Sequence, residues 1–132
     1  LFPSIVNLLQ NLPYKQLMAA AFNLHEQPLY PHQDEVDDSY PLTPERYNVL
    51  LTNHFSQKSF YICETETSEK IYPTILEEYP VYAFDNRNYF HGADPVLDDR
   101  IILVCAGVID KEKHDKLIQQ SIEKFDRYVV KF

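Results

Sequence analysis

Short apolar runs, separated by proline and polar turn residues, fill the chain from residue 46 to residue 110. The runs are RYNVLLTNHF (46–55), KSFYICET (58–65), EKIYPTIL (69–76), YPVYAFD (79–85), NYFHG (88–92) and RIILVCAGVID (100–110). Their β-branched and aromatic residues predict strands. A series of short strands predicts an all-β sandwich or jelly roll. The polar Ser56–Gln57 pair between the first two runs predicts that they form a hairpin.

The N-terminal part is less decisive. Residues 1–13 are apolar and suit either a short helix or a strand. Residues 15–24 contain an alanine run that suits a helix, but the alternation of apolar residues from Leu17 to Ala21 favours a strand. Residues 25–45 hold four prolines and many acids, which predicts a long connection with an extended segment inside it.

The C-terminal segment has the pattern of a helix. Asp110 can cap its first turn. The apolar positions Leu117, Ile118, Ile122 and Phe125 recur at helical spacing. We find no repeat or linker that divides the chain, so we predict one domain over residues 1–132, mostly β with a C-terminal helix. Because the chain begins at Leu1 rather than Met, an N-terminal piece could be missing.

Charge and composition exclude some functions. The formal net charge of the 132 residues is -8, and lysines and arginines are scattered. An acidic surface repels phosphate backbones, so we expect no nucleic-acid partner. No apolar run reaches the ~18 residues that a membrane span needs, and we expect no membrane partner. Cys63 and Cys105 lie in apolar runs, which indicates buried free thiols and a reducing, cytoplasmic location.

Two histidines and one acid have a spacing that suits a metal ion. His32 and Asp34 form a His-x-Asp pair between prolines that favour extended backbone. On an extended strand, residues i and i+2 point to the same side, so both side chains can reach one ion. His91 ends a predicted strand, next to Gly92, which permits a tight turn. Two imidazoles and one carboxylate suit iron and leave open coordination positions.

The charge of Arg100, at the start of an apolar strand, has two interpretations. It can form a surface ion pair with Asp98 or Asp99, or its planar guanidinium can hold a carboxylate in a bidentate way. His32 and Asp34 can likewise be surface loop residues. Asp37 and Asp38 could rival Asp34 as ligands, but their loop position after the motif favours exposure to solvent.

The order His-x-Asp, His, Arg on short strands resembles the Fe(II)- and 2-oxoglutarate-dependent oxygenases. The resemblance covers roughly residues 15–110 and implies a double-stranded β-helix (a jelly roll). It implies that His32, Asp34 and His91 bind Fe(II), and that Arg100 holds the far carboxylate of the co-substrate 2-oxoglutarate. The products would then be succinate, carbon dioxide and a hydroxylated substrate, either a small molecule or a peptide.

The second half is similar to one branch of that family, the aspartyl/asparaginyl β-hydroxylases. The segments RYNVLLTNHF and VYAFDNRNYFHGADPVLDDRIILV carry this similarity. It implies that Arg46 helps to hold the co-substrate. Many relatives have a hydroxyl residue two positions after the arginine, where this chain has Ile102. Another hydroxyl, from Tyr47 or Tyr61, would have to assist.

Other residues received weaker predictions, and two other functions stay open. His54 could line the site, His25 and His114 are expected to be exposed to solvent, and Tyr30, Tyr40 or Tyr89 could rim a pocket. One alternative is a non-catalytic jelly-roll binding module with a vestigial or structural metal site. The other is a partner-binding fragment that docks through a helix over residues 111–128. The sequence indicates neither the substrate nor the oligomeric state.

Overall fold

The chain folds into two antiparallel sheets with a helix at each end. The computed structural model describes residues 3–25, 27–35, 42–52, 58–96 and 99–132. Its helices are α1 (Pro3–Asn11) and α2 (Lys111–Phe125), the latter followed by a 3-10 turn at Asp126–Tyr128. Its strands are β1 (Tyr14–His25), β2 (Leu29–His32), β3 (Glu45–Leu50), β4 (Phe60–Cys63), β5 (Val81–Asp85), β6 (Phe90–Ala93) and β7 (Arg100–Ile109).

The larger sheet has the strand order β1-β7-β3-β5, and the smaller sheet has the order β2-β6-β4. Every named pair of strands is antiparallel. The two sheets meet through aromatic rings, because Phe60 of β4 lies 5.0 Å from both Tyr82 and Phe84 of β5, measured between ring centroids. The predicted mostly-β fold with a C-terminal helix is therefore confirmed at this level.

Alternation along the central strands divides the larger sheet into two faces. Tyr47 and Val49 of β3 join Leu103 and Cys105 of β7 in a buried cluster, against which α1 packs. Complete burial of an aliphatic side chain such as Leu103 contributes ~1.5–3 kcal/mol. The residues between them face the smaller sheet instead, because successive strand residues point to opposite sides. This second face contains the polar residues of the candidate site.

The predictions for the two ends had different outcomes. Residues 1–13 contain a helix, one of the two alternatives, and residues 15–24 lie in strand β1 as favoured. Asp110 caps α2 as predicted, since its carboxylate accepts a hydrogen bond from the Lys113 amide at 3.3 Å. His114 is half-buried rather than exposed, and its Nδ1 lies 2.8 Å from the Tyr47 hydroxyl. That prediction was wrong because the helix turns this residue toward the sheet.

Two strand predictions need correction. β3 and β4 do not form a hairpin: β3 lies between β5 and β7, whereas β4 pairs with β6 in the other sheet. A short polar segment can connect two sheets as well as two neighbouring strands, so it does not determine the pairing. Residues 69–76 form isolated bridges rather than a strand. Pro73 has no N–H to donate to a ladder, which accounts for the interruption.

Candidate metal centre and its cavity

Pairing of β2 with β6 places the two histidines side by side. His32 and His91 are direct partners in this antiparallel ladder, and their ring centroids are 4.4 Å apart. Asp34 follows β2, two residues after His32. Its Oδ1 lies 3.6 Å from Nε2 of each histidine. One ligand atom from each of the three residues therefore lies within 4.8 Å of the others.

Backbone carbonyls fix the proton on each imidazole. His32 Nδ1 lies 2.8 Å from the carbonyl oxygen of Tyr30, and His91 Nδ1 lies 3.4 Å from that of Tyr89. A carbonyl oxygen can only accept, so each Nδ1 carries the hydrogen and each neutral ring keeps its lone pair on Nε2. Carbonyl contacts of this kind orient metal-binding histidines in proteins. Both rings are thus held with their free nitrogen toward Asp34.

The other carboxylate oxygen of Asp34 is fully occupied. Oδ2 accepts hydrogen bonds from Arg46 Nη2 at 2.8 Å and from the Asn86 side-chain amide. The Asp34 amide also donates to the Asn86 carbonyl at 2.9 Å. Burial raises the pKa of Asp34, but a hydrogen bond from His91 when its Nε2 carries a proton, the bond from Asn86 and the charge of Arg46 outweigh burial and bring the pKa to about 2. Asp34 is therefore a carboxylate with one free oxygen.

These residues fit a divalent metal ion. With both histidines neutral, two nitrogen lone pairs and one carboxylate oxygen face each other without a hydrogen between them, which is unfavourable until a cation binds there. Two histidines and one carboxylate on one side of an ion form the set of ligands found in non-haem Fe(II) enzymes. Such a set leaves further coordination positions open. His32, Asp34 and His91 are the residues that would hold the ion.

A cavity of about 130 Å³ between the two sheets adjoins the histidines and Asp34. Part of its wall is apolar, formed by Leu29, Phe60, Phe84, Ala93, Ile102 and Val104. Ile102, which replaces the hydroxyl expected after the arginine, is one of these wall residues. Arg46 and Asn48 of β3 supply polar groups, and Arg100 lies in the same wall. The cavity therefore combines the candidate metal-binding triad with two guanidinium groups.

Arg100 is buried, and the described residues provide no counter-ion for it. It is 3% exposed. Its guanidinium donates long hydrogen bonds to two neutral hydroxyls, Ser59 Oγ at 3.3 Å and Tyr82 OH at 3.5 Å. Among the described residues, no carboxylate forms a salt bridge with it. A buried charge without an opposite charge is costly. An anion in the cavity would remove this cost, so Arg100 is a candidate position for binding an anion.

The side chains of Arg46 and Tyr47 lie on opposite faces of β3. Arg46 lines the cavity, but its Nη2 is bonded to Asp34, so its clearest role is to hold the acidic ligand. Tyr47 is on the opposite face of β3, buried in the core cluster and bonded to His114. Its proposed contact with the co-substrate was wrong, because strand alternation turns it away. Tyr61 also points elsewhere, since its hydroxyl donates to the Leu29 carbonyl.

Gly92 has a different role from the predicted turn. It lies inside β6, and a Cβ there would collide with the Tyr61 hydroxyl and the Leu29 carbonyl oxygen. Glycine is therefore needed for close approach of the neighbouring strands beside His91. The hydrogen bond from Tyr61 to Leu29, 2.8 Å long, spans this position. The sequence indicated a special backbone position here but suggested the wrong reason.

Sequence reasoning missed three residues of the site: Ser59, Tyr82 and Asn86. Ser59 and Tyr82 provide the hydroxyl groups next to Arg100. Asn86, which is 3% exposed, holds Asp34 through both its side chain and its backbone. No local motif marks any of them. The alternation of Tyr82 with the residues of β5 was the available signal for Tyr82, once the cavity face was known.

Several other residues with predicted roles lie at the margin of the site or outside the described residues. Tyr30 is 79% exposed beside His32, and Tyr89 stacks on Phe132 with a centroid distance of 4.8 Å. His54, Asp37, Asp38 and Tyr40 lie outside the described residues, and for His25 only the backbone is described.

Comparison of the chain with protein-family models, with curated proteins and with solved structures finds no match. Within the described residues, no helix is long and apolar enough to cross a membrane. The class that the fold defines is therefore a mostly β domain of two antiparallel sheets. Functional argument comes from the geometry of the site.

Proposed function

We propose that this chain is an Fe(II)- and 2-oxoglutarate-dependent oxygenase on a double-stranded β-helix, which hydroxylates a substrate in the cytoplasm. The observation that carries the proposal is the combination of two features in one cavity. One is the His32, Asp34 and His91 triad, and the other is buried Arg100 without a carboxylate partner among the described residues. The resemblance in sequence order supports the same assignment.

Charge balance favours a dicarboxylate co-substrate. One end of such a molecule offers oxygens to the metal, and the other end neutralises Arg100. The Tyr82 hydroxyl accepts from the guanidinium and can donate its own hydrogen to the same carboxylate. The Ser59 hydroxyl also accepts from Arg100, but it donates its hydrogen to the Asp94 carbonyl. Bound Fe(II) would supply the activation of dioxygen. The chain itself would orient the co-substrate and exclude water, with Ile102, Phe60 and Phe84 as apolar walls.

Turnover of 2-oxoglutarate tests this proposal directly. Purified protein with Fe(II), 2-oxoglutarate and ascorbate is expected to release succinate under air, even without a prime substrate, at a slow uncoupled rate. His91→Ala should abolish release, because one of three metal ligands is lost. His114→Gln changes a histidine on the opposite side of the sheet and should retain release. Succinate release by the wild-type chain that does not depend on added iron would contradict the proposal.

The role of Arg100 is tested by binding without oxygen. Isothermal titration of 2-oxoglutarate into the iron-loaded protein is expected to show one site. Arg100→Met should weaken it at least about 100-fold, since a charge-assisted bidentate contact contributes several kcal/mol when buried. Arg127→Met, in the 3-10 turn, is the matched control. Arg100→Met should fold as stably as the wild type, because a buried unpaired charge is replaced by an apolar chain.

A second candidate is a non-catalytic binding module with the same metal site. The size of the cavity favours it, because about 130 Å³ is below the ~300–1,000 Å³ usual for ligand pockets. This alternative predicts metal binding that depends on His91, with no binding of 2-oxoglutarate and no succinate. The turnover assay and the titration described above therefore separate the candidates.

A further inference from the structure

Three of the four sheet edges among the described residues are protected against pairing with another chain. Edge strands β2 and β4 have only four residues each, and β2 contains Pro31. The outer side of β4 is also bridged by Ile71, which pairs with Ile62. Edge strand β5 has five residues and ends at Asp85. Short length, proline, charge and coverage are the usual protections of sheet edges.

The fourth edge, β1, lacks these protections. It has 12 residues, and β7 is its one strand neighbour in the part of the chain that the structure describes. From Gln16 to Leu24 it contains no charged residue and no proline. Its register with β7 shifts twice before Ala19 and is then regular as far as His25. In an antiparallel edge strand, every second residue turns its N–H and C=O away from its partner. Among the described residues, a regular and uncharged row of N–H and C=O groups along this segment is therefore left without partners.

The side chains of this edge are also exposed and apolar. Phe22 is 56% exposed and Leu24 is 53% exposed, while Ala20 and Ala21 leave space beside them. Alternation places Ala20, Phe22 and Leu24 on one face of the sheet. It places Asn23 on the other face, where this residue lines the candidate cavity.

We propose that β1 pairs with β1 of a second copy of this chain, antiparallel across a two-fold axis, to form one continuous sheet of eight strands. Antiparallel pairing of a strand with itself is compatible with a symmetric dimer, because the same patch serves both partners. The chain has a net charge of -8, so two copies repel each other at most surfaces. Along the uncharged edge of β1, this electrostatic repulsion opposes contact between two copies least.

The regular segment suggests a register centred on Phe22. The two Phe22 residues then face each other across the axis, and each Leu24 lies opposite an Ala20 of the partner. Large side chains meet small ones on this face, and an aromatic pair lies at the centre, which favours pairing between strands. Asn23 lies within this segment, so the dimer joint would adjoin both cavities. The dimer proposal does not rest on the proposed function.

Oligomeric state tests the dimer. Sedimentation equilibrium of the full chain, over low to high micromolar concentrations, is expected to show a monomer–dimer equilibrium or a stable dimer. Phe22→Lys should shift the chain to monomer, because it places two like charges together at the axis. Val6→Lys changes another exposed apolar residue, on α1, which is 43% exposed, and this variant should remain dimeric. A wild-type monomer throughout the concentration range would overturn the proposal.

Cross-linking tests the register. Single variants Ala20→Cys, Phe22→Cys and Leu24→Cys are oxidised with the two native cysteines buried. Cross-strand neighbours have Cα atoms about 4.5–5.5 Å apart, within reach of a disulfide. Only Phe22→Cys should give a covalent dimer. Covalent dimer at another of these positions would overturn the register. Amide exchange on β1 that is equally fast in the wild type and in Phe22→Lys would overturn pairing at this edge.

Discussion

The two oxygens of Asp34 have different partners. Oδ1 faces the two histidines, whereas Oδ2 accepts from Arg46 and Asn86. Because Oδ2 is occupied, Asp34 can offer one oxygen to a metal, which keeps the remaining coordination positions open for other molecules. Groups that orient the ligands of a metal in this way strongly affect its affinity. Asn86 holds both the side chain and the backbone of Asp34, so it should have a large effect.

We therefore expect Asn86→Ala to weaken metal binding by about 10–100-fold. Competition between the protein and a colorimetric chelator for Fe(II) or Co(II) measures this affinity. Asn88→Ala is the matched control from the same turn, because Asn88 bonds to Asp85 rather than to Asp34. If the affinities of both variants equal that of the wild type, Asn86 does not position the ligand. Thermal melts of both variants without metal would separate a loss of folding from a loss of positioning.

Elements of secondary structure were easier to predict than their pairing. Apolar runs and flanking turn residues identified β1, β3, β4, β5, β6 and β7. Which strands would pair was not accessible, because pairing depends on contacts between distant segments. The false hairpin of β3 and β4 is the clearest case. The His-x-Asp motif was found because its i, i+2 spacing is local, and alternation could have excluded Tyr47.

The rest of the site comes from contacts between elements. Ser59 reaches Arg100 from just before β4, and Tyr82 reaches it from β5. Asn86 reaches Asp34 from the turn after β5. Each of these contacts joins residues at least 18 positions apart in sequence. Local spacing carries no information about such pairs, so the sequence predicted the His32, Asp34 and His91 triad and Arg100 but not the groups around them.

Asp94 connects an element to a neighbouring segment and makes that connection sensitive to acid. It lies just after β6, where Lys70 and Tyr72 donate hydrogen bonds to its carboxylate. Burial raises the pKa of Asp94, but the bonds from Lys70 and Tyr72 outweigh burial and lower the pKa. A lowered pKa in the folded state means that the charged form stabilises the fold. This contribution is fully present above the unfolded pKa of about 3.9 and is lost as the pH falls further.

Asp94→Asn should accordingly be less stable than the wild type at pH 7, by less than about 1 kcal/mol, since the group is partly exposed to solvent. Urea denaturation at a series of pH values measures the difference. The difference in free energy of unfolding between the wild type and the variant should decrease as the pH falls below about 4, since protonated Asp94 no longer makes the charged contacts. Asp115→Asn, which removes an exposed carboxylate from α2, is the control. A gap that is constant with pH would contradict this assignment.

On the scale of the whole molecule, the larger sheet has one face with an apolar core cluster and one face with the polar residues of the candidate site. Tyr47, Leu103 and Cys105 face the core that α1 covers, and Arg46, Asn48 and Arg100 face the cavity. One face therefore carries a buried apolar cluster, and the candidate chemistry is on the other. Burial of Arg100 without a counter-ion among the described residues destabilises the fold. Packing on the apolar face offsets this destabilisation, because the residues there are almost completely buried.

The reactivity of the two cysteine thiols can show whether the buried interior opens locally or only when the whole protein unfolds. Cys105 belongs to the larger sheet and Cys63 to the smaller one, and each is 0% exposed. Burial raises the pKa of the Cys105 thiol to about 11, with a small opposing effect of Arg46. Burial also raises the pKa of Cys63. Because the thiolate is the reactive form, both groups should be inert in the folded protein at neutral pH.

We expect a disulfide reagent such as DTNB to modify both cysteines only as fast as the protein unfolds. In increasing urea, the logarithm of each labelling rate should follow the free energy of unfolding, with the same slope for Cys63 and Cys105, if the two sheets open together. Mass spectrometry of labelled peptides resolves the two sites. Ser121→Cys, on an exposed position of α2, should react at once and provides the control.

Faster labelling of Cys63 than of Cys105 at low urea would show that the smaller sheet, with its three short strands and both histidines, opens independently. The metal ligands would then be held together by the bound ion, and added Co(II) should slow Cys63 labelling without affecting Cys105.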